Sequence, residues 1–153
     1  MGLWRIQQGD VDEFWYDTST GKQEGTKQAA VDYLSGHPEF HKVVFITESS
    51  DWVPVMLGGF ETIGRQNDVI IGSHNEDTWT LSHFEETEKT GSPYIATTTY
   101  QPYLYGDYIG KMLDKLFAGE EVDKYTYLDH VAMTRENYKD FKATMDAAKA
   151  AIS

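Results

Sequence analysis

Three features of the 153-residue sequence predict a doubly wound α/β fold with a mostly parallel sheet. Three apolar runs, residues 42–47 (KVVFIT), 68–72 (DVIIG) and 94–100 (YIATTTY), have strand length. Segments with helical periodicity separate them. The resulting order, β-α-β-α-β-α-β-α-β-α, implies parallel strands joined by right-handed crossovers. With no repeat, low-complexity tract or long linker, a chain of this length reads as one domain with a real core.

Each element has its own signal. A short strand is expected near residues 13–17, where Phe14, Trp15 and Tyr16 cluster. Thr20 and Gln23 have capping-box spacing for a first helix, whose apolar face is Ala30, Val31 and Leu34; Gly36 and Pro38 stop it. The runs at 42–47 and 68–72 lack polar alternation, so both are expected to be buried on both faces. Ser50 or Asp51 caps a second helix, and Pro54 fits its first turn. Val53, Met56, Phe60 and Ile63 share a face, and Gly64 ends it. A third helix is expected over 76–89, with Leu81 and Phe84 inward. Tyr105, Ile109, Met112, Leu113 and Leu116 mark a fourth amphipathic helix, ended by Gly119. Tyr125, Tyr127, Val131 and Met133 alternate as a strand. Thr134 caps a last helix, with Glu136 in the first turn and Tyr138, Phe141, Met145, Ala148 and Ile152 inward.

Composition excludes several function classes. Hydrophobic residues at 40% and charged residues at 25% exclude a disordered chain. A net charge of −12 repels phosphate backbones and anionic lipid, so nucleic-acid binding is disfavoured. No apolar run reaches the ~18 residues of a membrane span, so no membrane insertion is expected. The absence of cysteine removes disulfides, thiolate metal sites and cysteine nucleophiles. Residues 1–6 show no basic leader before an apolar stretch, so no signal peptide is expected in this chain.

Ligands of open α/β sheets bind beyond the carboxyl ends of the strands. Here those ends are residues 48–52 (ESSDW), 73–77 (SHNED) and 99–102 (TYQP). Their hydroxyl, amide and carboxylate groups supply donors and acceptors, and their aromatic rings supply flat apolar faces. That mixture suits a neutral sugar or polyol. The candidate ligand-binding residues are Ser50, Asp51, Trp52, His74, Asn75, Tyr100 and Gln101. Helix capping is the competing explanation for Ser50, Asp51, Asn75 and Asp77, and plain packing is the competing one for Trp52. No cofactor or metal site is expected. Residues 20–22 lack the first glycine of a phosphate loop, and Pro38 interrupts the His37/His41 spacing. His83 and His130 read as surface or partner groups. No hydrolase elbow, zinc-protease or dinucleotide motif occurs.

The ordered series resembles the type I periplasmic sugar-binding proteins of ABC importers, the ribose-binding kind. The resembling run covers about residues 21–137. It includes Gly36-His37-Pro38-Glu39-Phe40 before the strand Val43-Val44-Phe45-Ile46, then Ser50-Asp51 and Gly58-Gly59. Asp68-Val69-Ile70-Ile71-Gly72, Gln101-Pro102-Tyr103-Leu104-Tyr105-Gly106, Phe117-Ala118-Gly119-Glu120 and Thr134-Arg135-Glu136-Asn137 follow in order. The resemblance implies that the residues after the three strands bind a sugar without catalysis. Ser50 stands where the family carries Asn, His74 where it carries Asp, and Tyr100 where it carries Gln or Asn; Asp51 matches. These departures mean that the ligand's identity does not carry over.

The resemblance also implies that residues 1–153 form the C-terminal lobe of a two-lobed protein, about half the usual length. Residues from about 104 to 127 would correspond to elements of the missing N-terminal lobe. The expected partners are a sugar or polyol, an ABC permease, and either that lobe or a second copy docking through the 105–116 helix. A periplasmic or extracellular location follows. The alternative is the effector domain of a lactose-repressor-type regulator, which would be cytoplasmic. An enzyme using Asp51 and His74 is a further rival.

Overall fold

The computed structural model describes residues 22–151. The expected strand at 13–17, the Thr20 cap and Ile152 lie outside the described residues. Five helices and four strands follow in the order α1 (Lys22–Gly36), β1 (Val43–Thr47), α2 (Val53–Thr62), β2 (Val69–His74), α3 (Thr78–Glu86), β3 (Tyr94–Thr99), α4 (Tyr105–Phe117), β4 (Val131–Thr134) and α5 (Tyr138–Ala151). They build one sheet in the order β1-β2-β3-β4. β1 pairs parallel with β2, and β2 with β3, while β4 returns antiparallel on β3. This is the mostly parallel α/β layer that the apolar runs predict.

One face of the sheet makes the core. Val69, Ile71, Tyr94 and Met133 from the strands join Ala30 and Leu34 of α1, Met56 and Phe60 of α2, Leu81 and Phe84 of α3, and Tyr138 of α5 in a single buried cluster. The expectation of burial on both faces fails. Val44 is 60% exposed and Ile46 78%, and Ile70 and Ile95 are also open to solvent. The reason is that α1, α2, α3 and α5 all pack on the same face. The second helical layer of a doubly wound sheet is not among the described residues.

Several boundaries differ locally from the sequence expectation. Ser49, not Ser50 or Asp51, caps the turn into α2: its hydroxyl accepts from the Asp51 N–H, and residues 50–52 form a 3₁₀ turn. Asp77 caps α3, so Glu76 stays outside that helix. Residues 125–130 are not a strand. Thr134 ends β4 instead of capping α5, because the Asn137 side chain accepts its N–H and closes a tight turn. Glu136 therefore lies before the helix, and Asp140 is the acid in its first turn. Gly64 does end α2 as expected. Its positive φ of 67° lets the Arg65 N–H reach back to the Phe60 carbonyl, a bond that a β-carbon would disfavour.

The core has both an apolar and a polar component, and their expected costs differ. Phe60 is fully buried against Phe45 and the cluster, so Phe60→Ala is expected to cost about 3–5 kcal/mol through lost burial and a residual cavity. Tyr94→Phe removes a buried hydroxyl that bonds Ser73 at 2.8 Å and Thr80 at 3.5 Å, and is expected to cost about 1–2 kcal/mol. Urea unfolding of the two variants checks that order; equal losses would contradict it.

Candidate functional site

Parallel pairing brings three strand ends to one edge. Thr47 of β1 lies beside Ser73 of β2, and His74 beside Thr98 of β3. The chain therefore leaves the sheet three times in the same direction, at Ser49 to Trp52, at Asn75 to Asp77 and at Tyr100 to Gln101. The antiparallel β4 enters from the same rim, which adds His130. The predicted residues share this edge with one partial exception. Ser50 is fully buried beneath it, with its hydroxyl unpartnered, so it presents no surface to a ligand.

Side-chain rings meet at the rim in an unanticipated combination. The His74 imidazole stacks on the Tyr100 ring at 5.6 Å between centroids, and His130 lies 5.2 Å from His74. Tyr105 extends the group at 6.1 Å from Tyr100. Beside them is a cavity of about 400 Å³ lined by Tyr100, Tyr105, Thr126, Tyr127, Leu128 and His130. Trp52, by contrast, packs on the core cluster with a buried indole N–H that lacks a partner. The flat faces offered at this edge are thus those of Tyr100 and the two histidines. His130 was readable in the sequence only as a lone histidine; its place beside His74 comes from the return of β4 onto β3.

The rim holds the backbone in sparsely populated conformations. Asn75 and Gln101 are the non-glycine residues with positive φ among those described, at 74° and 54°. Such conformations cost energy and persist only where the surroundings impose them. For Asn75 the surroundings are visible. Its N–H donates to the Thr98 carbonyl at 2.7 Å. Its carbonyl accepts from the Thr97 hydroxyl at 2.5 Å. Thr97 in turn accepts from Ser73 at 2.8 Å, which leaves Ser73 to accept from the Tyr94 hydroxyl at 2.8 Å. A relay of buried hydroxyls thus runs from the core to the strained turn. At Gln101 the N–H donates to the Thr99 hydroxyl at 2.9 Å, and the carbonyl accepts from Leu104.

Asp51 is exposed, and one of its carboxylate oxygens accepts from the Ser49 hydroxyl. Asp77 is occupied by its cap, donated by the Thr80 N–H at 2.7 Å. Glu76, which sequence reasoning passed over, is 7% exposed. Burial pushes its carboxyl above the ordinary range, against the opposing pull of the Thr99 hydroxyl and His74. Among the described residues no group of three His, Asp or Glu side chains could hold a metal ion. His37 pairs with Glu39 and stacks on Phe40, while His41 pairs with Asp68, so the two do not converge.

No protein-family model and no curated protein sequence matches the chain. Solved structures do. An ABC transporter solute-binding protein from Agrobacterium vitis with bound allitol superposes with a TM-score of 0.66 at 12% identity, over 88% of this chain and 45% of that one. The chain has the fold of one lobe of a periplasmic sugar-binding protein. A solute-binding protein from Actinobacillus succinogenes with bound D-allose gives 0.63 at 12% identity, over 80% and 41% of the two chains. A glucose-galactose binding protein from Geobacillus stearothermophilus gives 0.58 at 18%, over 76% and 39%. The chain thus spans about two-fifths of the length of the solved proteins it matches. The likeness agrees with the resemblance read from the ordered motifs. No helix among the described residues is long and apolar enough to cross a membrane.

The raised carboxyl of Glu76 has a signed consequence for stability. A native pKa above the unfolded value of about 4.5 means that the native state holds its proton longer. The contribution of Glu76 to stability is therefore most favourable below pH 4.5 and is lost as pH rises through the native value. Glu76→Gln removes that term. The difference in thermal midpoint, variant minus wild type, is expected to grow from pH 4 to pH 7; a flat difference would contradict the assignment.

Proposed function

We propose that this chain is the ligand-binding lobe of a receptor that captures a sugar or polyol for an ABC-type importer, and that it performs no chemistry of its own. The single observation that carries the reading is the rim itself. Three parallel strand ends bring His74, Asn75, Tyr100 and Gln101 together beside exposed Asp51, with stacked rings next to amide and carboxylate groups. Rings of that kind lie on the apolar face of a sugar, and the polar groups reach its hydroxyls. The solved structures of the same fold with bound allitol and D-allose support the ligand class.

The fourth helix supports the two-lobed reading. α4 has no buried residue, and Tyr108, Ile109, Leu113, Leu116 and Phe117 are exposed along it. A contiguous apolar surface of that kind marks a face that something covers. We assign residues 104–127 to a second lobe, which closes over the ligand by hinge motion. A periplasmic or extracellular setting and docking on a permease belong to the same proposal.

Half a cleft buries little of a sugar, so affinity for the 153-residue chain is expected in the millimolar range, about −4 kcal/mol. Titration with allitol and D-allose, followed by NMR, is expected to give saturable shifts. His74→Ala and Tyr100→Ala are each expected to weaken binding by about three- to tenfold, as loss of a ring contact does. Unchanged affinity in both variants would overturn the site. Absence of saturable binding by either ligand would overturn the sugar reading.

A further inference from the structure

We propose that the cavity beside the rim binds a flat, apolar substituent of the sugar, so that the ligand class of this lobe is a glycoside with an aromatic aglycone. This rests on the sugar-binding reading above and deepens it. The cavity of about 400 Å³ falls in the ~300–1,000 Å³ range of small-molecule sites. It is continuous with the rim, because Tyr100 and His130 line it and also belong to the ring cluster around His74. Its chemistry differs from that of the rim. Tyr100, Tyr105, Thr126, Tyr127, Leu128 and His130 include no carboxylate, amide, ammonium or guanidinium group. Charged residues make up 25% of the chain, yet none of them lines this cavity. The Thr126 hydroxyl is engaged with the Met112 sulfur at 3.7 Å. Three phenol rings, one leucine side chain and one imidazole are left to meet a ligand.

Asn75, Gln101 and Asp51, which carry the amide and carboxylate groups of the rim, are absent from that lining. The two regions therefore suit two different parts of one molecule. A sugar ring placed in the cavity would give up water at its hydroxyls for few hydrogen-bond partners, and each unpaired hydroxyl is costly. A flat hydrocarbon group there gives up nothing, and it gains burial and ring contacts. Exposure gives independent support. Tyr127 is 88% exposed, and the ring of Tyr125, itself exposed, lies 6.4 Å from it. Aromatic surface left open beside a cavity marks a place that a partner covers. A sugar held at His74 and Tyr100 brings its substituent within reach of this surface, since the Tyr105 ring is 6.1 Å from that of Tyr100.

The test compares the methyl and phenyl β-glycosides of D-glucose and of D-galactose on the 153-residue chain, with binding followed by NMR at neutral pH. For the sugar that binds, the phenyl glycoside is expected to bind about fivefold tighter than the methyl one or better, with added shifts at residues 105 and 126–130. Tyr105→Ala and Tyr127→Ala are each expected to cut that preference by about half or more. Tyr127 is exposed, so its variant keeps the fold, which circular dichroism checks. Equal affinity for the methyl and phenyl glycosides overturns the proposal. So does a phenyl preference that survives intact in both variants, or one whose added shifts fall on α4 at residues 109–117. In each of these cases a sugar still binds, so the wider reading stands. Binding of allitol or D-allose with none of the four glycosides overturns this proposal alone. Failure of allitol, D-allose and all four glycosides overturns both.

Discussion

Thr47 lies beside Ser73 and His74 beside Thr98, and this parallel register is the constraint on which the rest of the molecule depends. It is fixed because one face of the sheet is buried. A slip of one residue would carry Val69, Ile71 and Tyr94 out of the core and bring Ile70 and Ile95 in. With the register held, three turns must emerge at a single edge. The chemistry of the rim follows from residues that are far apart in sequence and adjacent only for this reason.

The same edge is where the protein departs from local optima. Asn75 and Gln101 take positive φ, Ser50, Trp52 and Glu76 carry buried polar atoms without partners, and the Glu76 carboxyl is disfavoured as an anion. Buried unpartnered atoms occur away from this edge as well, at Gln66 Oε1 and Arg135 Nε, while the two non-glycine residues with positive φ among those described both lie at the strand-end rim. The hydroxyl relay from Tyr94 through Ser73 and Thr97 to the Asn75 carbonyl shows how the core imposes the Asn75 conformation.

Much of this was legible in the sequence. The strands at 43–47, 69–74 and 94–99 stood out because apolar runs of that length leave little choice, and α4 because its apolar residues recur at helical spacing. The strand ends were marked by the apolar runs before them, and parallel pairing places His74, Asn75, Tyr100 and Gln101 at one edge. What was not legible depends on tertiary placement. A run such as KVVFIT looks the same whether one face or both are covered, so the exposure of Val44 and Ile46 could not be read from it. Ser50 and Asp51 are adjacent and both suit a helix cap, yet a 3₁₀ turn buries one and exposes the other. Glu76 read as the start of a helix, because nothing local shows that Asp77 takes the cap and leaves its neighbour under the rim. His130 reaches this edge only through the antiparallel return of β4.

The most direct test of the central claim is an amide-resolved map of where a polyol touches this chain. In a ¹H–¹⁵N titration with allitol, shifts are expected to cluster at residues 49–52, 74–77, 99–105 and 126–131, the edge where the parallel strands end. Shifts that cluster instead at the opposite end of the sheet, around Leu57, His83 and Pro93, would contradict the account.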